Sequence, residues 1–353
     1  MSERIERLMR RLRRLFLALL VCAVAGEVAV RIRDAALGGT GSLYDHVAPA
    51  GSRFKMRPGV SVVVPERYGD IRYRFNRAGY RDGEPQPGRR IVVLGDSVSF
   101  GLGVAQESIW PEVLERSLES GGLVPSRVDN LAIWAYHTAN EADALREDGL
   151  ALRPDVVLLQ FYMNDFSIPP PAVPGTPPVP PSLGQRLTAL KNRVLYSSAL
   201  YRRLHQAGAG LAYALSHDLR RRRFPGTLND AEPRGQSAML RATPDDGDVA
   251  AFRAIRAIRD LARDRGARFL LILSPDETQL FSARFDAINR RIAAFCRREE
   301  IALFDPLPVY RASPERLDLY YDGVHYSPQG HALLARLVAA ELRRLGFVRK
   351  EEA

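Results

Sequence analysis

Short apolar runs mark out the second half of the chain: Ile91 to Leu94, Val128 to Ile133, Val156 to Phe161, Phe269 to Leu273 and Ile301 to Phe304. The first is unbroken, four apolar residues without alternation, which suits a parallel strand covered on both faces. Helical spacing fills the intervals. Trp110, Val113, Leu114 and Leu118 share one helix face, as do Ala142 and Leu145 after Thr138. Later helices are predicted from about 248 to 265, closed by Gly266, and from about 282 to 299. The last helix is the best marked, with Ser327 as N-cap, Pro328 in its first turn and Gly346 beyond its final periodic residues. Strand-like runs alternating with helices imply βαβ units and hence a five-stranded parallel sheet in a three-layer α/β/α sandwich.

The rest of the chain departs from this rhythm. Arg4, Arg7, Arg10, Arg11, Arg13 and Arg14 precede an apolar run from Leu15 to Ala25, with a weaker tail interrupted by Glu27 and Arg31 and ending at Ile32. Residues 1–33 therefore predict a membrane anchor or a signal segment. Leu15 to Ile32 approaches the roughly 20 residues of a spanning helix, whereas Ala23-Val24-Ala25 resembles a cleavage site. A soluble amphipathic helix is the third alternative. The arginines hold their end in the cytoplasm, which places everything after residue 33 on the far side. Residues 34–88 are rich in turns, with β-like pieces at Ser61 to Val64 and Ile71 to Phe75, and are expected to be an extracytoplasmic lead-in rather than a domain. The main domain is expected over 89–346, with a short tail over 347–353. A proline-rich and then helix-like insertion interrupts it over 167–246, and within that insertion Leu190, Val194, Leu195, Leu200, Tyr201 and Leu204 form one apolar stripe. That stripe either packs on the domain or forms a surface that selects substrate or touches membrane.

Composition narrows the class of protein. A chain of 353 residues, 46% hydrophobic and 26% charged, is globular and long enough for a full core. The net charge of +10 raises nucleic acid as a partner. The arginines are scattered over helix-like stretches, however, with no aromatic-interleaved stripe or zinc-finger spacing, so no nucleic acid is expected. Cys22 and Cys296 fall in separate helix-like contexts and predict no disulfide. His46, His137, His205 and His217 lack metal-ligand spacing, so neither a metal nor another cofactor is expected, and His331, inside the last helix, reads as structural.

Three segments bear residues that can do chemistry. Gly95-Asp96-Ser97 follows the first strand, where open α/β sheets place reactive atoms. Asp322 and His325, in the loop before the last helix, are spaced so that the carboxylate can hold one imidazole tautomer, the base half of a serine triad. Asn164 follows the third strand and can aim a neutral amide at a developing oxyanion. Taken singly, each also fits a blander role: an ordinary polar turn, a solvated histidine, a turn-capping asparagine.

Together and in order, these blocks resemble the SGNH or GDSL-type serine hydrolase family, and in particular its membrane-tethered bacterial members. Gly95-Asp96-Ser97 is similar to the nucleophile block, Asn130 to Tyr136 to the second block, Met163-Asn164-Asp165 to the block with the oxyanion asparagine, and Asp322-Gly323-Val324-His325 to the terminal block. Ser99 stands where a Gly-x-Ser-x-Gly elbow would have its second glycine, which separates the chain from α/β-hydrolases. The resemblance implies an SGNH, flavodoxin-like fold and an esterase with Ser97 as nucleophile, His325 as base and Asp322 as its orienting carboxylate. It also implies an oxyanion hole made by the N–H of Ser97, the N–H of Ala135 and the side chain of Asn164. Ala135 stands where the family has glycine, at a cost of about 1 to 2 kcal/mol if φ there is positive. The implied substrate is a small-molecule or glycan acyl ester, on envelope carbohydrate or lipid. Location would be the bacterial inner membrane, single-pass, with the catalytic domain periplasmic. Transfer of the acyl group to exopolysaccharide, or a non-catalytic tethered glycan-binding module, are the alternatives.

Overall fold

A computed structural model describes residues 3–36, 41–51, 53–66, 69–167, 250–283 and 286–350, together with residues 191, 195, 198–205, 207, 208, 211 and 215. The chain opens with one long helix, α1 (Glu3–Ala36), followed by two antiparallel hairpins: β1 (Val47–Ala50) with β2 (Arg53–Met56), and β3 (Ser61–Glu66) with β4 (Gly69–Arg74). The main unit then runs β5 (Arg90–Leu94), α2 (Ser97–Phe100), α3 (Trp110–Ser120), β6 (Leu123–Val124), β7 (Arg127–Asn130), α4 (Thr138–Glu147) and β8 (Val156–Phe161). After the insertion come α5 (Ala250–Arg263), β9 (Arg268–Leu273), α6 (Asp286–Arg298), β10 (Ala302–Phe304), α7 (Leu307–Ala312), α8 (Pro328–Arg344) and β11 (Arg349–Lys350), the last paired with β6.

The five main strands are all parallel, in the spatial order β7-β5-β8-β9-β10. This is the expected five-stranded three-layer sandwich, and the two cores explain the unbroken apolar runs. Val92, Leu94, Val157, Leu159, Leu271 and Leu273 face one helical layer with Phe252, Ile255, Ile292 and Phe295. Their neighbours Ile91, Val93, Val156, Leu158, Leu270 and Ile272 face the other, against Trp110, Leu114, Leu334, Val338 and Leu342. Each such side chain contributes about 1.5–3 kcal/mol by leaving water, so neither face tolerates polar residues. The chain order reverses direction at β5, with β7 added on one side and β8 on the other, and an open sheet leaves a crevice at such a point.

Two of the element ends that differ from the sequence expectation have a visible cause. The second strand stops at Asn130 instead of continuing to Ile133, because the Asn130 side chain turns the backbone: Nδ2 donates to the Ser99 carbonyl at 2.9 Å and Oδ1 accepts from Ala132 N at 3.2 Å. The helix expected from about 282 starts at Asp286, behind a 3-10 turn over Glu277–Leu280 that Asp276 caps through Thr278 N at 2.8 Å.

The lead-in is bound into the body of the fold. Met56, Val62, Tyr73, Phe75 and Tyr80 are buried in the same core as Phe100 and Trp134, with the Tyr73 ring stacked 5.8 Å from that of Phe100. Fully buried Arg81 donates to the carbonyls of Phe100, Gly101 and Val104 at 3.0, 2.5 and 2.6 Å, so it ties down the loop that follows α2.

The apolar part of α1, within Met9–Ala36, is long enough to cross a membrane, and none of it is buried. Its C-terminal end meets the insertion. Glu27 accepts from Ser198 Oγ, Ala199 N and Leu200 N at 2.8, 3.1 and 2.9 Å, and Arg203 bridges Asp34 at 2.5 Å and Asp70 at 3.0 Å. Tyr201 and Leu204 of the expected stripe lie on a helical stretch over 199–205, where Leu204 is exposed. The proline-rich stretch lies outside the described residues.

Candidate active site

β5 delivers the chain to Gly95 at the crevice. There the glycine answers to crowding: a Cβ would stand 2.7 Å from Gln160 Oε1 and 2.8 Å from Ser99 Oγ. Buried Asp96 caps α2 by accepting from Val98 N at 2.9 Å, and Gly101, at φ +74°, ends the helix after one turn. Ser97 thus occupies the first position of a short helix and is half-buried. Ser99 faces inward, accepting from Trp110 Nε1 at 3.0 Å and donating to Gln160 Oε1 at 2.9 Å.

The loop before α8 comes to meet it. His325 Nε2 lies 2.9 Å from Ser97 Oγ, and His325 Nδ1 lies 2.8 Å from Asp322 Oδ2. The other oxygen of Asp322 accepts from the backbone N–H groups of Val324 at 3.1 Å and His325 at 2.9 Å, so the carboxylate is fixed before it holds the ring. Burial alone would push the His325 imidazole down, but the Asp322 carboxylate, aided by Asp96 and Glu66, outweighs it and the net shift is upward. Burial likewise pushes Asp322 up, and its bonds from His325 and Val324 bring it below the usual carboxylate value.

Asn164 also reaches the crevice. Its Nδ2 donates to Asp96 Oδ2 at 3.0 Å, which seats the amide beside the nucleophile turn with a second N–H still to give. Ala135 lies in the turn after β7, where Ile133 N donates to Gly95 O at 3.3 Å and Tyr136 N to Ile133 O at 3.2 Å. Its φ is +60°, the left-handed conformation that glycine adopts without strain. The condition under which an alanine is costly here, a positive φ, is therefore met.

Four sequence-singled residues, Ser97, Asn164, Asp322 and His325, therefore meet beyond the strand ends, and the fifth, Ala135, lies in the turn after β7. His331 does not join them. It is buried in α8, its Nδ1 accepts from Trp110 N at 3.2 Å, and burial pushes it down to about 3, so it is a neutral structural residue. Cys22 and Cys296 are both free, and among the described residues no group of His, Cys, Asp and Glu is arranged to hold a metal ion.

Sequence reading missed the supporting residues. Asp96 lies in the quoted nucleophile block, yet nothing there reveals that it bonds both Val98 and Asn164. Glu141 and Asp165 are fully buried near Asp96, and burial together with the neighbouring carboxylates pushes both well upward. Their types predict surface positions, so no local signal could have found them. Glu66 and Tyr321, bonded at 2.9 Å, were equally invisible because they come from opposite ends of the chain.

The profile of the GDSL-like lipase/acylhydrolase family matches residues 93–333, more than half of the chain and the span that holds all five residues. No curated protein matches the sequence. Similar solved structures include a lipase/acylhydrolase from Enterococcus faecalis, at 15% identity over 75% of this chain and 100% of that one, with a TM-score of 0.42. An acetylxylan esterase from Geobacillus stearothermophilus has 15% identity over 76% and 100%, with a TM-score of 0.42. The psychrotrophic esterase EstA from a Pseudoalteromonas species has 13% identity over 73% and 98%, with a TM-score of 0.40.

Proposed function

Because the chain belongs to the GDSL-like lipase/acylhydrolase family and is a hydrolase of ester bonds, we propose that it cleaves acyl esters through a Ser97–His325–Asp322 triad. The observation that carries this is the unbroken chain of contacts from Ser97 Oγ to His325 Nε2 at 2.9 Å and from His325 Nδ1 to Asp322 Oδ2 at 2.8 Å. In the first step Ser97 Oγ attacks the ester carbonyl while Nε2 takes its proton, and Asp322 holds the Nδ1–H tautomer and stabilises the imidazolium. The oxyanion is met by the N–H of Ser97, the N–H of Ala135 and the amide of Asn164, donors that strengthen as charge develops. The imidazolium returns the proton to the leaving alcohol. Water, deprotonated by the same Nε2, then attacks the acyl-enzyme, and as the acyl–Oγ bond breaks Nε2 returns that proton to Ser97 Oγ, freeing the acid.

The proposed setting is the outer face of a bacterial inner membrane, with α1 retained as a single-pass anchor. Its basic N-terminal turns stay in the cytoplasm and the hydrolase domain lies outside. Support comes from the unburied apolar surface of α1 and from the way its outer end is joined to the domain. Arg33 bonds Asp70 at 2.6 Å, and Asp70 belongs to the hairpin whose other strand ends in Glu66 beside the catalytic loop. A site held this near the end of the anchor fits esters displayed at the membrane surface, on envelope carbohydrate or lipid.

A fluorophosphonate probe on the full-length protein in detergent tests the mechanism. Wild type should be labelled on Ser97 and hydrolyse p-nitrophenyl acetate. Ser97→Ala should be unlabelled, with the rate reduced by about 10⁴-fold or more. A Ser97→Ala enzyme with full esterase rate would sink the mechanism. Mass analysis of the membrane-extracted chain tests the anchor, since removal of the residues up to Ala25 would show that the segment is a cleaved signal.

A further inference from the structure

Glu66 ends β3, ahead of the span that defines the family. We propose that Glu66 is a positioning residue for the His325 base, acting through Tyr321; this rests on the triad described above. Glu66 Oε2 accepts from the Tyr321 hydroxyl at 2.9 Å, and Oε1 accepts from the Tyr73 hydroxyl at 3.0 Å. Tyr73 is itself anchored, because its oxygen accepts from Gly103 N at 2.8 Å. Tyr321 immediately precedes Asp322 and is fixed at three points. Glu66 holds its hydroxyl. Gly103, in the loop after Ser97, meets its ring so closely that a Cβ there would lie 2.8 Å from Cζ. The Tyr321 backbone N–H donates to the His325 carbonyl at 2.6 Å. The turn carrying Asp322 and His325 is thereby hung from a side chain of the lead-in hairpin.

A carboxylate suits this post for two reasons. It accepts two phenol O–H groups at once and has no donor to misplace, unlike an amide. It also puts negative charge on the side of the crevice where the imidazolium forms. The ionisable groups that act on His325 are Asp322 on its own loop, Asp96 on the nucleophile turn, Glu66 on β3 and His331 in α8, and its ring touches Ser97 Oγ and Asp322. Those facing Glu66 are Tyr73, Tyr321, His325 and Arg81, the last lying with its guanidinium carbon 4.2 Å from the Tyr73 ring centre. Burial pushes Glu66 upward and outweighs the two phenols, His325 and Arg81, so the net shift is upward.

The test uses full-length protein in detergent with Glu66→Gln, Tyr321→Phe and the double variant. The first readout is kcat and KM for p-nitrophenyl acetate against pH, and the second is the titration of the His325 ring by NMR on ¹⁵N-histidine-labelled protein. Glu66→Gln should move the His325 titration, and with it the acid limb of kcat/KM, to lower pH by about half a unit or more, since it removes a negative neighbour. Both single variants should lower kcat by about 10-fold with KM little changed, and the double variant should be no worse than the poorer single, because the two residues act as one unit. An unmoved His325 titration in folded Glu66→Gln, or losses that multiply in the double variant, would overturn the proposal. If Glu66→Gln fails to fold, Tyr321→Phe decides, since it leaves the Glu66–Tyr73 bond in place: an unaltered kcat rejects the role. A shifted His325 titration in a wild-type background that hydrolyses no ester would reject the hydrolase mechanism while retaining the positioning role.

Discussion

The two halves of the site are built differently. The nucleophile half stands on strand ends: Asp96 and Ser99 are fully buried, α2 is capped at both ends, and Asn164 is bonded to Asp96 at 3.0 Å. The base half is a loop, with 40% of the Asp322 side chain exposed, held by bonds from elsewhere: Tyr321 to Glu66 at 2.9 Å, and Glu277 N to the Gly323 carbonyl at 3.1 Å. A parallel sheet positions its own edge as a by-product of burying both faces, whereas a loop needs partners for each point at which it must not move. Precision in the first half is paid for by the core, and in the second by individual hydrogen bonds.

The comparison can be broken most directly at its meeting point. His325→Ala should cost about as much activity as removing Ser97, on the order of 10⁴-fold or more, with the melting temperature almost unchanged because the loop adds little to the core. A drop of many degrees in thermal melts would show that the base half is part of the core after all. Asn164→Ala tests the nucleophile half. Loss of one oxyanion donor should lower kcat by about 10²–10³-fold with KM nearly unchanged, and an effect confined to KM would reduce Asn164 to a turn residue.

A pH profile sharpens the contrast further. His325 must be neutral to act as base, and its folded value is raised, so the acid limb of kcat/KM should lie above the ordinary histidine value of 6.5. The stability contribution has the opposite sense. For a raised histidine it is fully present below 6.5 and is lost as pH rises through the folded value, whereas Asp322, which is depressed, contributes above 3.8 and loses its share as pH falls. An acid limb below 6.5 would mean that Asp322 does not hold the ring during turnover. The smallest expected effect is at Ala135. Ala135→Gly relieves a left-handed alanine at an exposed position and should raise stability by about 0.5–1 kcal/mol in denaturant melts, after the entropy that glycine adds to the unfolded chain is offset.

Much of this is legible in the sequence. Unbroken runs such as Ile91 to Leu94 identify strands covered on both faces, because a parallel sheet leaves no face for polar residues. Ser327, Pro328 and Gly346 marked the bounds of the last helix by local capping chemistry, and Ser327 does accept from Gly330 N at 3.2 Å. The end of β7 is not legible there, since Asn130 stops it with a side-chain bond to the Ser99 carbonyl that no periodicity encodes. Glu141 and Asp165, carboxylates in a full interior, defeat composition rules outright.

What the chain determined by itself was local: which stretches are strand or helix, and which residues carry groups fit for acyl chemistry in an order resembling one family. What only the tertiary structure decided was which distant groups share a space. Burial periodicity is written in neighbours along the chain, but the Glu66–Tyr321 bond joins the lead-in to the last loop, and Asn164 meets Asp96 across the crevice. Such pairings depend on the order in which strands are laid into the sheet, and that order is set by the packing of whole faces.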